Sequence, residues 1–400
     1  MLNEKHILIG ITGGIAAYKT AELTRELVKK GASVKVIMTK NATEFITPLT
    51  LQTLSRHPVY MDMYSLSGDF SISHISLAQE ADLVVIAPAT ANVIGKIAVG
   101  IADDLLTTSV MATRAPVLIC PSMNTQMYEN PIVQGNLEKL AAQGYLIVDP
   151  SHGELACGVE GPGRLPDVSE IVDVVETILT PKDLTGEHVL VTAGPTQEAF
   201  DPVRFITNHS SGKMGYAVAV MARRRGADVT LISGPTTLAA PRGVRCVSVK
   251  SAREMRDAVM EHLEKATVVI KAAAVADYRP ASRSDSKIKK SEGTLNMSLE
   301  RNPDIIAEIG KNKGQRVLIG FAMETDNLFE NAAEKLTRKN MDLIIANDLN
   351  QEGAGFQTDT NVITMLDPNG GKETLPLMDK MDVADRILDR VKKIIEKRKR

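Results

Sequence analysis

The chain has no tryptophan, an aromatic content of 4% and only three cysteines in 400 residues. Cys120, Cys157 and Cys246 are too few and too scattered for a disulfide framework or a zinc site, so apolar burial has to hold the fold, in a reducing compartment. An excess of either charge is missing too. Lysine and arginine number 47 against 49 aspartates and glutamates, and a net charge of -2 excludes bulk attraction to nucleic acid or to an anionic membrane. No apolar run reaches membrane-spanning length. The apolar stretch from His6 to Ala17 reads as a buried first strand and turn rather than a signal segment, and the expected location is the cytoplasm. G-x-G-x-x-G and a complete P-loop are also absent.

The sequence does contain 44% apolar and 24% charged residues, an ordinary globular balance. Short Val- and Ile-rich runs alternate with amphipathic stretches of helical length. The first half reads as strands at 6–11, 33–38, 83–87, 117–120 and 145–148, with helices at 16–30, 104–113, 132–143 and 168–179. Residues 180–187 read as a linker, after which the pattern restarts. Strands are expected at 188–193, 228–232, 244–249, 267–272, 317–321 and 343–346, with helices at 252–264 and 327–339. The expected fold is α/β, two tandem Rossmann-like parallel-sheet domains, with boundaries 1–183 and 184–400. Residues 279–293 are polar and lysine-rich and read as a loop outside both sheets.

Strand ends carry the candidate chemistry. The first strand runs into Gly10-Ile11-Thr12-Gly13-Gly14-Ile15, where glycines admit a ligand to the backbone ahead of a helix start. The second ends Met38-Thr39-Lys40, without the acidic residue that holds a dinucleotide ribose, which favours a mononucleotide such as FMN over NAD. Ala87-Pro88-Ala89-Thr90-Ala91-Asn92 suits a flat ring with polar edges, or a plain strand-end turn. Asn124, in Pro121-Ser122-Met123-Asn124, can cap the next helix or bind a carboxylate through its amide. His74 is a lone histidine, packed or reactive. Cys157 lies in Gly153-Glu154-Leu155-Ala156-Cys157-Gly158-Val159-Glu160-Gly161-Pro162-Gly163-Arg164, a connector or an active-site flap in which Arg164 can grip an anion.

In this order and spacing, these motifs resemble the flavin-containing cysteine decarboxylases over roughly residues 5 to 180. The resemblance implies a flavodoxin-like domain with FMN against Gly13, Gly14, Ile15, Thr39, Ala87, Pro88, Ala89, Thr90 and Asn92. It also implies His74 as base, Asn124 on the substrate carboxylate, Cys157 as proton donor on a flap, and trimeric contacts. The chain departs from the family pattern at Tyr128, where many relatives carry Trp. The implied reaction is an oxidative decarboxylation, in which the flavin carries the difficult step and the protein positions it.

The second half offers Asp201-Pro202-Val203-Arg204-Phe205-Ile206-Thr207-Asn208-His209-Ser210-Ser211-Gly212-Lys213-Met214-Gly215. Its end resembles a P-loop only superficially, because Thr207 and Met214 break the pattern. Ala272-Ala273-Ala274-Val275-Ala276-Asp277-Tyr278 follows a buried strand, and Asp277 can hold a metal or a ribose. Lys287, Lys289 and Lys290 are either a solvated run or a charge-neutralising loop. Asn302-Pro303-Asp304-Ile305 reads as a helix start capped by Asn302. With Gly320-Phe321-Ala322-Met323-Glu324-Thr325, the set resembles phosphopantothenate–cysteine ligases over roughly residues 186 to 396. That resemblance implies 4'-phosphopantothenate, cysteine, CTP and Mg2+, with an acyl-cytidylate held by Asn208 and Arg204 and supported by Lys287. It places CTP among Ala273, Asp277, Asn302, Pro303, Asp304, Ile305, Phe321, Lys335 and Lys339, the metal on Asp277, and dimeric contacts in this half. Fusion of the two halves is the architecture of a bifunctional coenzyme A family, with no nucleic-acid or membrane partner. Two rivals are a non-catalytic flavin-binding regulator and an NAD(P)-dependent oxidoreductase. Joint presence of His74, Asn124 and Cys157 counts against the first, and the missing fingerprints against the second.

Overall fold

A computed structural model describes residues 2–64, 73–156, 158–289, 295–324, 328–348, 355 and 357–399. The chain forms two compact units, Met1–Thr180 and Pro181–Arg400.

In the first unit, strands β1 (His6–Ile11), β2 (Ser33–Met38), β3 (Val59–Tyr60), β4 (Leu83–Ala89), β5 (Val117–Pro121) and β6 (Leu146–Ile147) form one sheet in the order β3-β2-β1-β4-β5-β6. Every pairing is parallel. Its strands are apolar on both faces because helices cover both. Ile7, Ile9 and Ile11 join one buried cluster, while Leu8 joins the other. The helices are α1 (Lys19–Lys29), α2 (Pro48–Ser55), α3 (Ser73–Glu80), α4 (Ala91–Val99), α5 (Leu105–Ala112), α6 (Thr125–Tyr128), α7 (Pro131–Ala142) and α8 (Val168–Leu179). A hairpin, β7 (Ser151–Glu154) and β8 (Glu160–Arg164), stands outside the sheet. The expected helix at 16–30 divides into a 3-10 turn, Ile15–Tyr18, and α1.

The second unit continues with β9 (His188–Ala193), the hairpin β10 (Gln197–Ala199) and β11 (Phe205–Thr207), α9 (Lys213–Arg224), β12 (Asp228–Ser233), β13 (Arg245–Ser248), α10 (Ala252–Leu263) and β14 (Val268–Lys271). A second ribbon, β15 (Tyr278–Pro280) and β16 (Leu299–Arg301), precedes α11 (Ile305–Lys311), β17 (Val317–Glu324), α12 (Leu328–Arg338) and β18 (Leu343–Asp348). The chain ends with β19 (Thr360–Asn361), β20 (Ile363–Leu366), β21 (Lys372–Thr374), β22 (Met378–Asp379) and α13 (Lys380–Lys399). The main sheet runs β13-β12-β9-β14-β17-β18-β20-β21, parallel up to β18.

Three expectations change. The second sheet is not wholly parallel, because β20 and β21 add antiparallel strands at its edge. Their turn is built by Asp367, whose Oδ1 accepts from Asn369 N and Gly371 N at 2.9 and 3.1 Å. The supposed loop at 279–293 starts inside a strand, since Arg279 and Pro280 belong to β15; Lys290 and its next four neighbours lie outside the described residues. The supposed linker is fastened to the second unit. Asp183 takes two bonds of 2.8 Å from the Arg225 guanidinium and one ion pair of 3.1 Å from Lys392, while Leu184 is buried. The last turn of α13 is also fastened: Arg398 pairs with Asp342 at 2.6 Å and Lys399 with Glu187 at 3.0 Å.

Candidate active sites

In an open parallel sheet, ligands bind beyond the carboxyl ends of strands where the strand order reverses. In the first unit that place lies between β1 and β4, and a cavity of about 620 Å³ opens there. Residues 13–15, Thr39, Thr90 and Asn92 line it, as do Ser122, Met123, Asn124, Leu155 and Ala156. A hydroxyl relay sets its floor. Thr12 Oγ1 donates to the Pro88 carbonyl at 2.7 Å and accepts from Thr90 N at 3.1 Å, and Thr20 Oγ1 donates to the Ala87 carbonyl at 2.9 Å. Ala87 and Ala89 are wholly buried, so this strand end acts as a support and does not line the cavity. It presents Thr90 and the first turn of α4, residues 91–93, to the cavity.

Asn124 performs the capping task that its position suggested, and it also lines the cavity. Its Oδ1 accepts from Gln126 N at 2.9 Å and caps α6. The β7–β8 hairpin is rooted on the same segment. Met123 N donates to the Gly163 carbonyl at 2.9 Å, and Gly163 has φ +133°. At the hairpin tip, Leu155 N donates to the Val159 carbonyl at 2.9 Å and Gly158 N to the Leu155 carbonyl at 2.8 Å. Cys157 lies outside the described residues. Its neighbours Leu155 and Ala156 line the cavity, while Arg164, at the end of β8, does not.

His74, the second residue of α3, is not a lining residue either; its Nδ1 is buried with no hydrogen-bond partner among the described residues. Sequence reasoning passed over Lys96 and Asp104. Lys96 holds Asp103 at 2.7 Å and Asp104 at 3.7 Å, and the Asp103 hydrogen bond raises its pKa. Asp104 meanwhile forms a capping box with Thr107 at the start of α5.

The second unit repeats the arrangement between β9 and β14, where the strand order again reverses. A cavity of about 520 Å³ is lined by Asn208, Ala273, Asp277, Phe321 and Lys335, and by residues 209–215 leading into α9. Asn208 Nδ2 donates to the Val275 carbonyl at 3.2 Å. Other residues named from the sequence stand behind this wall. Asn302 does not cap α11; Asp304 does, accepting from Ala307 N at 3.2 Å. Asn302 instead braces the Asp277 segment. Its backbone N donates to the Asp277 carbonyl, and its Nδ2 to the Ala276 carbonyl, both at 2.8 Å. Lys339 pairs with Asp304 at 2.9 Å, and burial pushes the nearby Lys271 ammonium down to about 8. Pro303, Ile305 and Lys339 do not line the cavity.

Arg204 and Lys287 are not in the lining either. The Arg204 guanidinium holds Asp201 Oδ2 through Nε and Nη2 at 2.9 and 2.6 Å, and Nη2 also reaches the Ile288 carbonyl at 2.9 Å. Arg204 therefore anchors the backbone beside Lys287. Lining residues that sequence reasoning gave no role include Asn347, Asn361 and Lys380. Among the described residues no group of three or more His, Cys, Asp or Glu side chains forms a ready metal cage, and no helix is long and apolar enough to cross a membrane.

Residues 1–180 match the flavoprotein family, and residues 184–395 match the C-terminal domain of the DNA/pantothenate metabolism flavoproteins. The chain is 49% identical over 395 residues to the coenzyme A biosynthesis bifunctional protein CoaBC of Bacillus subtilis, covering 98% of this chain and 97% of that one. It is 46% identical over 392 residues to the protein of the same description from Escherichia coli K12, covering 97% and 96%. The chain belongs to the bifunctional coenzyme A biosynthesis family. A crystal structure of the C-terminal domain of one such protein overlays 54% of this chain and 99% of its own, at 44% identity and a TM-score of 0.47. Membership extends over both halves, so the chain is an enzyme of this pathway with a flavoprotein domain in front. Neither the regulatory nor the NAD(P) reading gains support from these relatives.

Proposed function

We propose that residues 184–400 join 4'-phosphopantothenate to cysteine with CTP, releasing CMP and pyrophosphate, and that residues 1–183 decarboxylate the product to 4'-phosphopantetheine with FMN. The observation that carries this reading is the pair of cavities at equivalent strand-order reversals, each edged by the asparagine its half's motif singles out, Asn124 and Asn208.

The first cavity fits a flavin. A phosphate has the N-terminus of α4 to bind, and the ring has the space between residues 13–15, Thr39 and Asn92. Bound there, the flavin supplies the electron sink that an unactivated carboxylate needs in order to leave as carbon dioxide. The Asn124 amide donates to the departing carboxylate, His74 acts as base, and Cys157 gives a proton to the carbon from which carbon dioxide has left. Arg164 guides the anionic substrate to the hairpin.

In the second cavity the Asn208 amide holds the activated acyl group, and Arg204 acts through the Lys287 loop that it anchors. Phe321, Ala273 and Lys335 form the nucleotide wall, with Asn302 and the Asp304–Lys339 pair behind it. Asp277 is the one carboxylate lining this cavity among the described residues. A single carboxylate together with nucleotide phosphates is ordinary Mg2+ ligation. Trimeric contacts through the first domain and dimeric contacts through the second belong to the same reading, as does a cytoplasmic setting. Exposed Leu49, Tyr64 and Ile132 offer apolar surface in the first unit for such contacts.

The test is mass spectrometry of purified protein given 4'-phosphopantothenate, cysteine and Mg2+, with and without CTP. CTP-dependent 4'-phosphopantetheine with CMP is the expected result. A folded, flavin-loaded protein that yields neither overturns the reading.

A further inference from the structure

The second cavity contains a buried cation that the roles above leave unused. Lys380, the first residue of α13, is 5% exposed and lines the cavity. Its ammonium donates to the Gly355 carbonyl at 3.0 Å and to the Thr358 carbonyl, and no carboxylate pairs with it among the described residues. Carbonyls compensate only part of the cost of burying an ammonium. A second lysine, at the start of α9, holds the same stretch of chain. Lys213 Nζ donates to the Gln357 carbonyl and pairs with Asp359, each at 2.7 Å. The Lys380 backbone N in turn donates to the Asp359 carbonyl at 2.9 Å. The two ammonium groups are close enough to repel one another, and burial and that repulsion both lower the pKa of Lys380. Asp359 is taken up by Lys213, and Asp277 is the one carboxylate lining this cavity among the described residues.

The Lys380 ammonium is thus left with carbonyl partners and no paired carboxylate among the described residues. A ligand carrying several phosphate oxygens supplies the negative charge, and relieves the repulsion between Lys213 and Lys380 at the same time. We propose that Lys380 is a polyphosphate-binding residue of the second cavity, and that with Lys213 it couples nucleotide occupancy to the order of the chain around Thr358. The inference rests on the nucleotide-dependent ligase reading and adds to it a residue and a chain segment.

The test uses the full-length protein and three probes: CTP, cytidine and inorganic tripolyphosphate. Calorimetry on wild type and Lys380→Met is expected to show CTP and tripolyphosphate weakened about ten- to hundredfold, with cytidine unchanged. Lys380→Arg keeps the charge and is expected to recover most of the loss. Hydrogen exchange on wild type gives an independent measure that needs no variant. CTP, but not cytidine, slows exchange in peptides spanning Thr358 to Asn361. Wild type that binds CTP with unchanged exchange there, or Lys380→Met that folds and binds all three probes normally, overturns the inference. Wild type that binds no CTP at all overturns the ligase reading itself.

Discussion

Arg204 folds back on Asp201, giving it two guanidinium hydrogen bonds of 2.9 and 2.6 Å, while Ile288 N donates to the same carboxylate oxygen at 3.2 Å. The pair thus clamps the start of the lysine loop. Arg204→Lys keeps the charge but cannot reproduce the planar fork. The expected result is a ten- to hundredfold loss of ligation, on the order of one or two charge-assisted hydrogen bonds, with decarboxylation of supplied phosphopantothenoylcysteine untouched. Equal losses in both half-reactions would count against this role.

The same pair gives a pH dependence. Arg204 and the backbone N–H groups hold the Asp201 carboxyl well below the usual carboxylate range. A depressed folded-state pKa contributes stability that is fully present above the unfolded value, about 3.9, and is lost as pH falls through the folded one. Acid unfolding of the second domain is therefore expected to be steeper in wild type than in Asp201→Asn below about pH 4. Matching acid-melting curves would remove the clamp from the stability account.

Gly163 and Gly135 respond in opposite directions to alanine. At Gly163, φ is +133° and a Cβ would stand 2.2 Å from the Met123 carbonyl oxygen. Gly163→Ala is expected to cost about 1–3 kcal/mol and to displace the root of the hairpin that carries Cys157, lowering decarboxylation more than flavin content. Gly135 lies within α7, where a Cβ meets nothing within 4 Å. Gly135→Ala is expected to gain about 0.5–1 kcal/mol. Thermal melts and flavin absorbance distinguish the two.

Much of this architecture was legible because parallel strands, buried on both faces, leave uninterrupted apolar runs. Residues 188–193 stand as expected for that reason, and the helix at 168–179 because its apolar residues recur at helical spacing. Short ribbons were not legible. β15 and β16 are three residues each, and β16 is exposed throughout, so neither carries an apolar alternation. The antiparallel edge did have a signal, the turn Asp367-Pro368-Asn369-Gly370, which marks a hairpin independently of apolar pattern. Within the sites, Asn124 and Asp277 were legible from strand-end position. Lys380 was not, because it reaches the second cavity from the start of α13, far along the chain from the motifs that surround it.

Cysteine reactivity gives a check on the first core. Burial pushes the Cys120 thiol up to about 12, while Cys246 is exposed. Brief alkylation of native protein at pH 8 is expected to modify Cys246 and spare Cys120 until the protein is unfolded. Early modification of Cys120, found by peptide mapping, would contradict its place in β5.

The most direct test of two consecutive active sites is the species that accumulates when one asparagine is changed. Asn124→Asp keeps an acceptor for Gln126 N, so α6 stays capped, but it replaces the amide donor with a charge that repels the substrate carboxylate. Given 4'-phosphopantothenate, cysteine, Mg2+ and CTP, the Asn124→Asp protein is expected to release CMP at the wild-type rate and to accumulate phosphopantothenoylcysteine without carbon dioxide. Asn208→Ala is expected to form neither product, yet to decarboxylate phosphopantothenoylcysteine when it is supplied. Loss of CMP release in the first variant, or normal 4'-phosphopantetheine synthesis in the second, would contradict the assignment of the two cavities.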